Sequence, residues 1–324
     1  MKNGISEYLA TCTTLMLLIL PARCSAAAEH PISISETDQG FVVAEGRQQV
    51  MLYQRKHKSI AGKYMRANYI HPLYGLDGQV LTEDFPDDHP HHRGVFWAWH
   101  QVWLGDRKLC DPWSAIDTVW DVYDARVLSV DSRSRALQVQ VHWKSPNHTD
   151  SAGKQIPFIE ETTTITVHRA GDDMRRIDFQ IELLALENNM RLGGSEDAKG
   201  YGGFTTRIYL PDDIVLTGTN GLVEPKTLSV EAGPWLDFSG NLGKAGKTSG
   251  LAILCHKTCP LYPQRWILRR KGSAQNPVYP GREPVPLSCD KPLILRYRLI
   301  IHRGDASHID LDSLQAQYNN EPVN

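Results

Sequence analysis

The side chains best suited to chemistry in this 324-residue chain are concentrated in one short segment. Three of its thirteen histidines lie within four positions, at His89, His91 and His92, directly after Asp87 and Asp88. Histidine is the side chain best matched to proton transfer near neutral pH, and its neutral ring is also the commonest metal ligand. Ionisable groups this closely spaced are typical of functional sites. The cluster therefore predicts either acid–base catalysis without a cofactor or a divalent metal bound by His89, His91 and His92.

The residues that follow Arg93 alternate as a strand does, so that every second side chain shares a face. This period predicts His92, Phe96 and His100 on one face and Trp97 and Trp99 on the other. We predict His92 and His100 as catalytic acid and base, with His91 as a further catalytic residue. Tryptophan rings are flat apolar surfaces that stack on sugars. Trp97, Trp99 and Arg93 are therefore predicted to bind substrate.

A second candidate segment is rich in glycine and precedes a predicted strand. Five glycines in the eleven residues 193–203 allow a ligand to approach the backbone closely. Within or after it, Lys199 and Glu196 are predicted as catalytic groups, and Tyr201 and Arg207 as substrate-binding groups. A mobile surface turn is the alternative for this segment.

The elements that must position these residues are strands. Helical periodicity is almost absent, and alternating or β-branched runs recur between Gly, Pro, Asn and Asp clusters. These predicted strands are Gly40 to Ala44, Val50 to Gln54, Leu137 to Trp143, Thr162 to Val167, Ile177 to Leu183, Phe204 to Leu210, Leu251 to Leu254, Arg265 to Leu268 and Leu293 to His302. One short amphipathic helix is predicted from Ile309 to Tyr318. The pattern predicts an all-β fold, a large β-sandwich or barrel, in a single domain over residues 29–324.

The first 28 residues are typical of a secretory signal peptide. A positive charge precedes a short apolar run, which small residues follow, with alanines at 26 to 28 suited to cleavage. This predicts a secreted or periplasmic protein with no membrane span in the mature chain. A net charge of −2, from 35 Lys+Arg against 37 Asp+Glu, offers no footprint for nucleic acid.

Four cysteines remain in the mature chain, at Cys110, Cys255, Cys259 and Cys289. In an oxidising compartment they form one or two disulfides or stay as buried thiols, and the sequence leaves both alternatives open. Their spacing does not supply the four ligands that a structural zinc site requires.

Several segments together resemble a known family. They are His71-Pro72-Leu73-Tyr74, His89-Pro90-His91-His92-Arg93-Gly94, the Trp-containing turn Gly233 to Gly240, and the closing strands Leu251 to Trp266 and Leu295 to Gly304. In these the chain resembles the secreted PmoA-like proteins of environmental and gut bacteria, a family of uncharacterised function. The resemblance implies a carbohydrate or glycoside-derived substrate. It also implies an all-β fold similar to the large two-sheet β-sandwich of galactose mutarotases and polysaccharide lyases.

Two functions from different classes follow. The first is an enzyme, such as an epimerase or lyase, that acts on a small sugar, oligosaccharide or glycoside by histidine-based proton transfer. The second is a non-catalytic glycan-binding protein with Trp97, Trp99, Trp103 and Trp113 as stacking platforms. The excess of histidine favours the enzyme, because stacking alone does not require it.

Overall fold

The computed structural model describes residue 1, residues 30–244 and residues 246–322. Residues 2–28 of the predicted signal peptide lie outside the described residues. Residues 31–324 form one compact unit.

The predicted strands are found at their expected places, but the one predicted from Phe204 to Leu210 ends at Thr206 and the one predicted from Arg265 to Leu268 covers only Trp266–Ile267. Shorter strands join them. The first nine are β1 (Ile32–Glu36), β2 (Gly40–Glu45), β3 (Gln48–Gln54), β4 (Lys58–Ile60), β5 (Lys63–Arg66), β6 (Tyr69–Leu73), β7 (Val95–Ala98), β8 (Gln101–Leu104) and β9 (Arg107–Cys110). The middle of the chain forms β10 (Val119–Ser129), β11 (Ser134–Lys144), β12 (Ile159–His168), β13 (Met174–Ala185), β14 (Met190–Gly193) and β15 (Gly203–Thr206). The last third forms β16 (Val215–Gly218), β17 (Gly221–Leu222), β18 (Trp235–Gly240), β19 (Ser249–Cys255), β20 (Trp266–Ile267), β21 (Asn276–Pro277), β22 (Val285–Leu287) and β23 (Leu293–Arg303).

Two large antiparallel sheets contain most of these strands. One has six strands in the order β1-β2-β3-β6-β7-β15, and the other has nine in the order β10-β11-β12-β13-β23-β19-β18-β16-β17. A four-stranded sheet, β22-β14-β8-β9, adjoins them, with two short hairpins, β4-β5 and β20-β21. The predicted all-β sandwich is therefore confirmed.

The core lies between the two large sheets. Strands β12 and β13 alternate strictly between buried and half-buried positions, and β11 does so from Leu137 onward, as expected for one buried face. Trp97 of the six-stranded sheet packs edge-on against Phe179 of the nine-stranded sheet, with ring centroids 6.4 Å apart. Phe204 of β15 stacks on Tyr297 of β23 at 4.5 Å. Aromatic side chains from both sheets therefore join them across the core.

A buried carboxylate also links the two sheets. Glu161 on β12 has no exposed surface. Its Oε1 accepts hydrogen bonds from Trp97 at 2.8 Å, from Thr163 at 2.6 Å and from Asn68 at 2.9 Å. Its Oε2 accepts another from Trp143 at 2.8 Å. These donors satisfy a group that would otherwise destabilise the core.

Burial raises the pKa of Glu161, and the hydrogen bonds from Thr163, Asn68 and the two tryptophans oppose that increase. Its neighbour Glu160 lies on the opposite face, where its carboxylate accepts a 2.7 Å hydrogen bond from Tyr123. The period of two in a strand accounts for this difference.

The predicted C-terminal helix is α1 (Leu311–Asn320). Asp310 caps its first turn by accepting a hydrogen bond from the backbone N–H of Ser313. Its apolar side chains Leu311, Leu314 and Tyr318 pack against a patch of the nine-stranded sheet separate from the main core. This helix covers the sheet far from the histidine cluster. Among the described residues, no helix has the length and apolar character that crossing a membrane requires.

Cys110, Cys255, Cys259 and Cys289 are all free thiols, and only Cys289 is exposed. The structure therefore decides between the two alternatives in favour of thiols.

Candidate active site

The histidine cluster and His100 line one pocket, of about 380 Å³. The predicted strand through both is interrupted: β7 ends at Ala98, and β8 begins at Gln101 in a different sheet. His100 therefore lies at the crossing between two sheets. Backbone geometry at such a crossing leaves space for a ligand that a continuous flat strand would fill.

The predicted division into two faces is confirmed. Phe96 and Ala98 pack with Trp113 beside the pocket. Trp97 and Trp99 belong to the main core. The structure thus places the two alternating sets on opposite sides of β7, as the period of two requires.

Burial of Trp97 and Trp99 contradicts their predicted role in substrate binding. They are 1% and 0% exposed. The indole N–H of Trp97 donates to Glu161, and that of Trp99 donates to the backbone carbonyl of Tyr279 at 2.9 Å. These rings stabilise the sandwich, and no face of either is available to a sugar.

The three histidines of the cluster form a compact stack on a tight turn. The backbone N–H of His92 donates to the carbonyl of His89 at 2.8 Å, which closes the turn. The rings of His89 and His92 lie parallel with centroids 4.6 Å apart, and the ring of His91 meets that of His92 edge-on at 4.6 Å. His92 is 3% exposed, so it is more deeply buried than its predicted place above an open strand face.

This stacking does not suit the predicted metal site. Parallel rings direct their nitrogen lone pairs along parallel planes, whereas a shared metal needs ligands that converge on one point. The described residues contain no group of three or more His, Cys, Asp and Glu side chains arranged to hold a metal ion. The prediction of His89, His91 and His92 as a ligand set is therefore wrong for this arrangement.

Arg93 and Arg207 are buried and bind residues of the loop that carries the histidine cluster, which contradicts their predicted contact with substrate. Arg93 is fully buried, donates to Asp84 at 2.9 Å and also donates to the backbone carbonyl of Tyr64. Arg207, 1% exposed, donates to Asp88 at 2.7 Å. Both arginines fix the loop that carries the histidines.

Asp88, which Arg207 holds in place, also contacts the ring of His89. Its Oδ2 lies 2.7 Å from Nδ1 of His89. Burial acts to raise the pKa of Asp88, but the hydrogen bonds from Arg207 and His89 outweigh it and lower that pKa to about 2. An ionised carboxylate only accepts hydrogen bonds, so Nδ1 of His89 carries the proton.

His100 forms a similar pair with a residue that the sequence did not reveal. Its Nδ1 lies 2.9 Å from Oδ2 of Asp111. The backbone N–H of Ser114 also donates to Asp111, at 2.9 Å. These bonds and the nearby His100 outweigh the effect of burial and lower the pKa of Asp111. Because Asp111 is ionised, Nδ1 of His100 donates to it.

The other nitrogen of His100, Nε2, is buried and has no hydrogen-bond partner. In the neutral ring this nitrogen holds the lone pair, so it is the atom able to accept a proton from a ligand. An acceptor oriented by a carboxylate on its far side is the geometry of a general base.

Desolvation keeps the two deepest histidines neutral. Burial, with smaller contributions from His91 and His89, lowers the pKa of His92 to about 2. Burial, with a smaller contribution from His89, lowers the pKa of His91 to about 4. Nδ1 of His92 is buried without a partner. At neutral pH these rings can form hydrogen bonds to a ligand without carrying charge.

Aromatic rings form the apolar wall of the pocket. The ring of Trp113 contacts both His100, which stacks on it at 5.5 Å, and Tyr201, which meets it edge-on at 4.9 Å. Trp113 is only 3% exposed, so it contributes a wall rather than an open stacking platform. Trp103 does not line the pocket, and its indole N–H donates to Gln101.

The glycine-rich segment brings Lys199 and Tyr201 to the pocket, as predicted. The segment is closed on itself: the backbone N–H of Ser195 donates to the carbonyl of Tyr201 at 2.9 Å. At Gly194 an added Cβ would lie 2.2 Å from the carbonyl oxygen of Gly200, so only glycine fits there. Burial raises the pKa of Tyr201, which keeps its hydroxyl protonated.

Glu196 is outside this group, which contradicts its predicted role as a catalytic base. Its side chain is 62% exposed, pairs with Lys108 at 3.1 Å and does not line the pocket. The loop that closes through Ser195 and Tyr201 directs Glu196 outward.

Residues that the sequence analysis missed complete the pocket. They come from the segment after β20 and include Arg269, Lys271 and Asn276. Asn276 is 1% exposed, and its side-chain amide donates to the carbonyls of Gly202 and Phe204. Nothing in the local pattern of residues 267–276 marks them as functional, because their role depends on β21 packing against β15.

Two further ionisable residues, both on the nine-stranded sheet, are structural. His302 on β23 and Asp237 on β18 form a 2.7 Å pair, and both side chains have no exposed surface. Burial acts to lower the pKa of His302, but Asp237 outweighs it and raises that pKa. His302 is thus the satisfied core histidine that its strand position suggests, and Asp237 is unavailable to a sugar.

The fold and site define a β-sandwich protein with a histidine-lined pocket and an oriented His–Asp pair. Residues 41–316 match the model of a protein family described as "Family of unknown function (DUF6807)". The chain belongs to this family. The specific resemblance to PmoA-like proteins stays a prediction.

Comparison with curated proteins gave no match. Among solved structures, similarity was found to the crystal structure of "a putative mutarotase (YeaD) from Salmonella typhimurium", at 10% sequence identity and a TM-score of 0.34. The alignment covers 84% of this chain and 94% of that one. A similarity at this level does not identify a reaction.

Proposed function

We propose that this protein is a secreted carbohydrate-active enzyme that acts on a sugar or glycoside by histidine-based proton transfer, in the manner of an epimerase or lyase. The observation that carries the proposal is the His100 side chain, which lines the pocket with Nε2 buried and unpartnered while Asp111 orients the ring through Nδ1. The proposed location depends on the leader at residues 1–28.

The pocket suits a sugar in size and in chemistry. About 380 Å³ accommodates a monosaccharide unit with space for part of a substituent. A sugar ring presents hydroxyl groups and, next to a carbonyl, an acidic C–H. Isomerisation or elimination on such a ring requires a base and a proton donor close together.

We assign the base to His100 and the proton donor to Tyr201. The two rings are in edge-on contact, with centroids 5.0 Å apart. His100 removes a proton from the substrate at Nε2, and the hydroxyl of Tyr201 or the ammonium of Lys199 protonates the departing or rearranged oxygen. His92 binds the substrate and does not transfer a proton, because burial lowers its pKa to about 2 and makes the ring too weak a base.

The alternative, a non-catalytic glycan-binding protein, loses its main support in the structure. It required exposed tryptophan faces, and Trp97, Trp99 and Trp113 are each no more than 3% exposed. A binding protein would also have no need for an oriented base.

Proton NMR in D₂O tests the proposal. The mature protein is incubated with free sugars, keto sugars and methyl glycosides, and exchange or loss of C–H signals is followed. Substitution His100→Gln should reduce the rate by a factor of about 10²–10⁴, the usual contribution of a general base. Asp111→Asn should also reduce it, by disturbing the tautomer.

A matched control is available on the surface. His308 forms a 3.1 Å pair with Asp305, and both side chains are more than half exposed. His308→Asn should leave the rate unchanged. If the wild-type protein catalyses no exchange with any sugar, or if His100→Gln is as active as wild type, the proposal is wrong.

A further inference from the structure

The charged side chains that line the pocket, apart from the histidines, are all cationic. Its lining includes the cationic side chains Lys199, Arg269 and Lys271 and contains no Asp or Glu. Asp88 and Asp111 pair with His89 and His100 and are not themselves among the residues that line the pocket. A ligand in the pocket therefore meets cations and neutral rings, although the whole chain is nearly neutral.

Arg269 is the pocket cation whose hydrogen bonds go to backbone carbonyls and not to a carboxylate. One Nη1 hydrogen bond goes to the backbone carbonyl of Lys226 at 2.8 Å and another to that of Leu268 at 2.7 Å. Nη2 donates to the carbonyl of Thr227 at 3.1 Å. Carbonyls hold the guanidinium in place without neutralising it. Among the described residues, no ion pair joins Arg269 to a carboxylate.

The two lysines of the pocket each have a carboxylate nearby. Lys199 pairs with Asp197 at 3.1 Å. Lys271 approaches Asp212 at 3.7 Å, but both side chains are at least 85% exposed, so water screens this pair. Arg269 therefore supplies a positive charge that backbone carbonyls hold in place, and Lys271 supplies an exposed positive charge.

A second cation without a direct ion pair among the described residues, Arg66, lies next to the pocket wall. Arg66 is fully buried, donates to the backbone carbonyls of Pro112 and Trp113, and leaves Nε and Nη1 without partners. Its guanidinium stacks on Phe96 at 4.8 Å, and Phe96 packs against Trp113 in the pocket wall. A buried charge acts over a longer range than an exposed one, because solvent does not screen it.

We propose that the substrate is an anionic sugar, whose carboxylate, sulfate or phosphate group binds Arg269 with Lys271 beside it. This rests on the proposed function and names the class of its substrate. A guanidinium presents paired N–H donors that match the oxygens of such groups. Arg66 adds to the positive potential without touching the ligand.

Calorimetry with matched ligand pairs tests this proposal. Each pair differs only at C6: methyl β-D-glucuronide against methyl β-D-glucoside, and the corresponding galactosides and mannosides. The acidic member should bind at least about tenfold more tightly at low salt, a factor that corresponds to about 1.4 kcal/mol. The preference should decrease as salt is added. Glucose 6-sulfate and glucose 6-phosphate then show which anion is preferred.

Two substitutions isolate the charge. Arg269→Gln should reduce the preference, measured as the ratio of the two affinities, to less than about threefold. Lys271→Gln, at an exposed side chain that cannot affect folding strongly, should reduce it partially. The control is Arg265→Gln, because Arg265 also docks on a backbone carbonyl, that of Ser229, but lies outside the pocket.

The outcomes separate this proposal from the proposed function. Equal affinity for acidic and neutral members, or a preference that survives Arg269→Gln, would overturn the anionic substrate alone, provided that neutral sugars still bind and react through His100. If no sugar of either charge binds, both proposals are wrong.

Discussion

The buried ring of His92 makes the stability of the protein depend on pH, and the substitution His92→Phe isolates this effect. Its pKa is about 2 in the folded protein, lowered by burial and then by its neighbours His91 and His89. In the unfolded chain it is about 6.5. Arg207 also disfavours the charged ring, and Asp88 favours it weakly. Below about pH 6.5 the unfolded chain therefore binds a proton at His92 that the folded protein does not bind.

The sign and size of the effect follow from proton linkage. Stability falls as pH falls, because the unfolded state binds more protons than the folded state throughout this range. Between pH 7.5 and pH 5 the loss from this one group integrates to about 2 kcal/mol. His92→Phe keeps an aromatic ring stacked on His89 and removes the titration. The variant should therefore lose about 2 kcal/mol less than wild type over this range.

Urea denaturation at pH 7.5 and pH 5 measures the free energy of unfolding of both proteins. The exposed substitution His308→Asn is the control and should leave the wild-type difference unchanged. Other histidines also titrate, so the informative quantity is the difference between His92→Phe and wild type. If the two proteins lose equal stability on acidification, His92 is charged in the fold and the account of its burial is wrong.

Three further predictions concern the core and the thiols. Trp97→Ala should cost roughly 3–5 kcal/mol in urea denaturation, since it truncates a buried ring and leaves Glu161 one donor short; a cost below 1 kcal/mol would contradict the packing described. Gly94→Ala should lower the melting temperature and disturb the histidine loop, because the added Cβ would lie 1.9 Å from the carbonyl oxygen of Ile70; an unchanged melting temperature would show that β7 shifts freely. In thiol titration with a chromogenic disulfide reagent and no reductant, the mature native protein should react at Cys289 alone, and the unfolded protein at all four cysteines; fewer than four in the unfolded protein would reveal a disulfide.

Local periodicity determined the fold class and the division of the strands into faces. A side chain two positions along a strand returns to the same face whatever the strand pairs with. This is why alternation was enough to place Trp97 apart from Phe96, and why only one of Glu160 and Glu161 turned inward. The same argument could not show that β7 stops at Ala98, since the change of sheet depends on the strands that pair on each side.

Which side chains meet in the pocket was decided by tertiary structure alone. The sequence marked the histidines by their density, but the partner of His100 is Asp111, in a segment with no motif. Arg269 reaches the pocket only because the β20–β21 hairpin packs beside β15. Conversely, Arg93 and Arg207 have the residue type of ligand-binding groups, but the fold buries both, and Arg207 pairs with Asp88, 119 residues away. A pattern along the chain indicates which face of a strand a residue occupies. It does not indicate which residue elsewhere in the fold pairs with a charged side chain. That pairing decides whether the charged side chain binds a ligand or is structural.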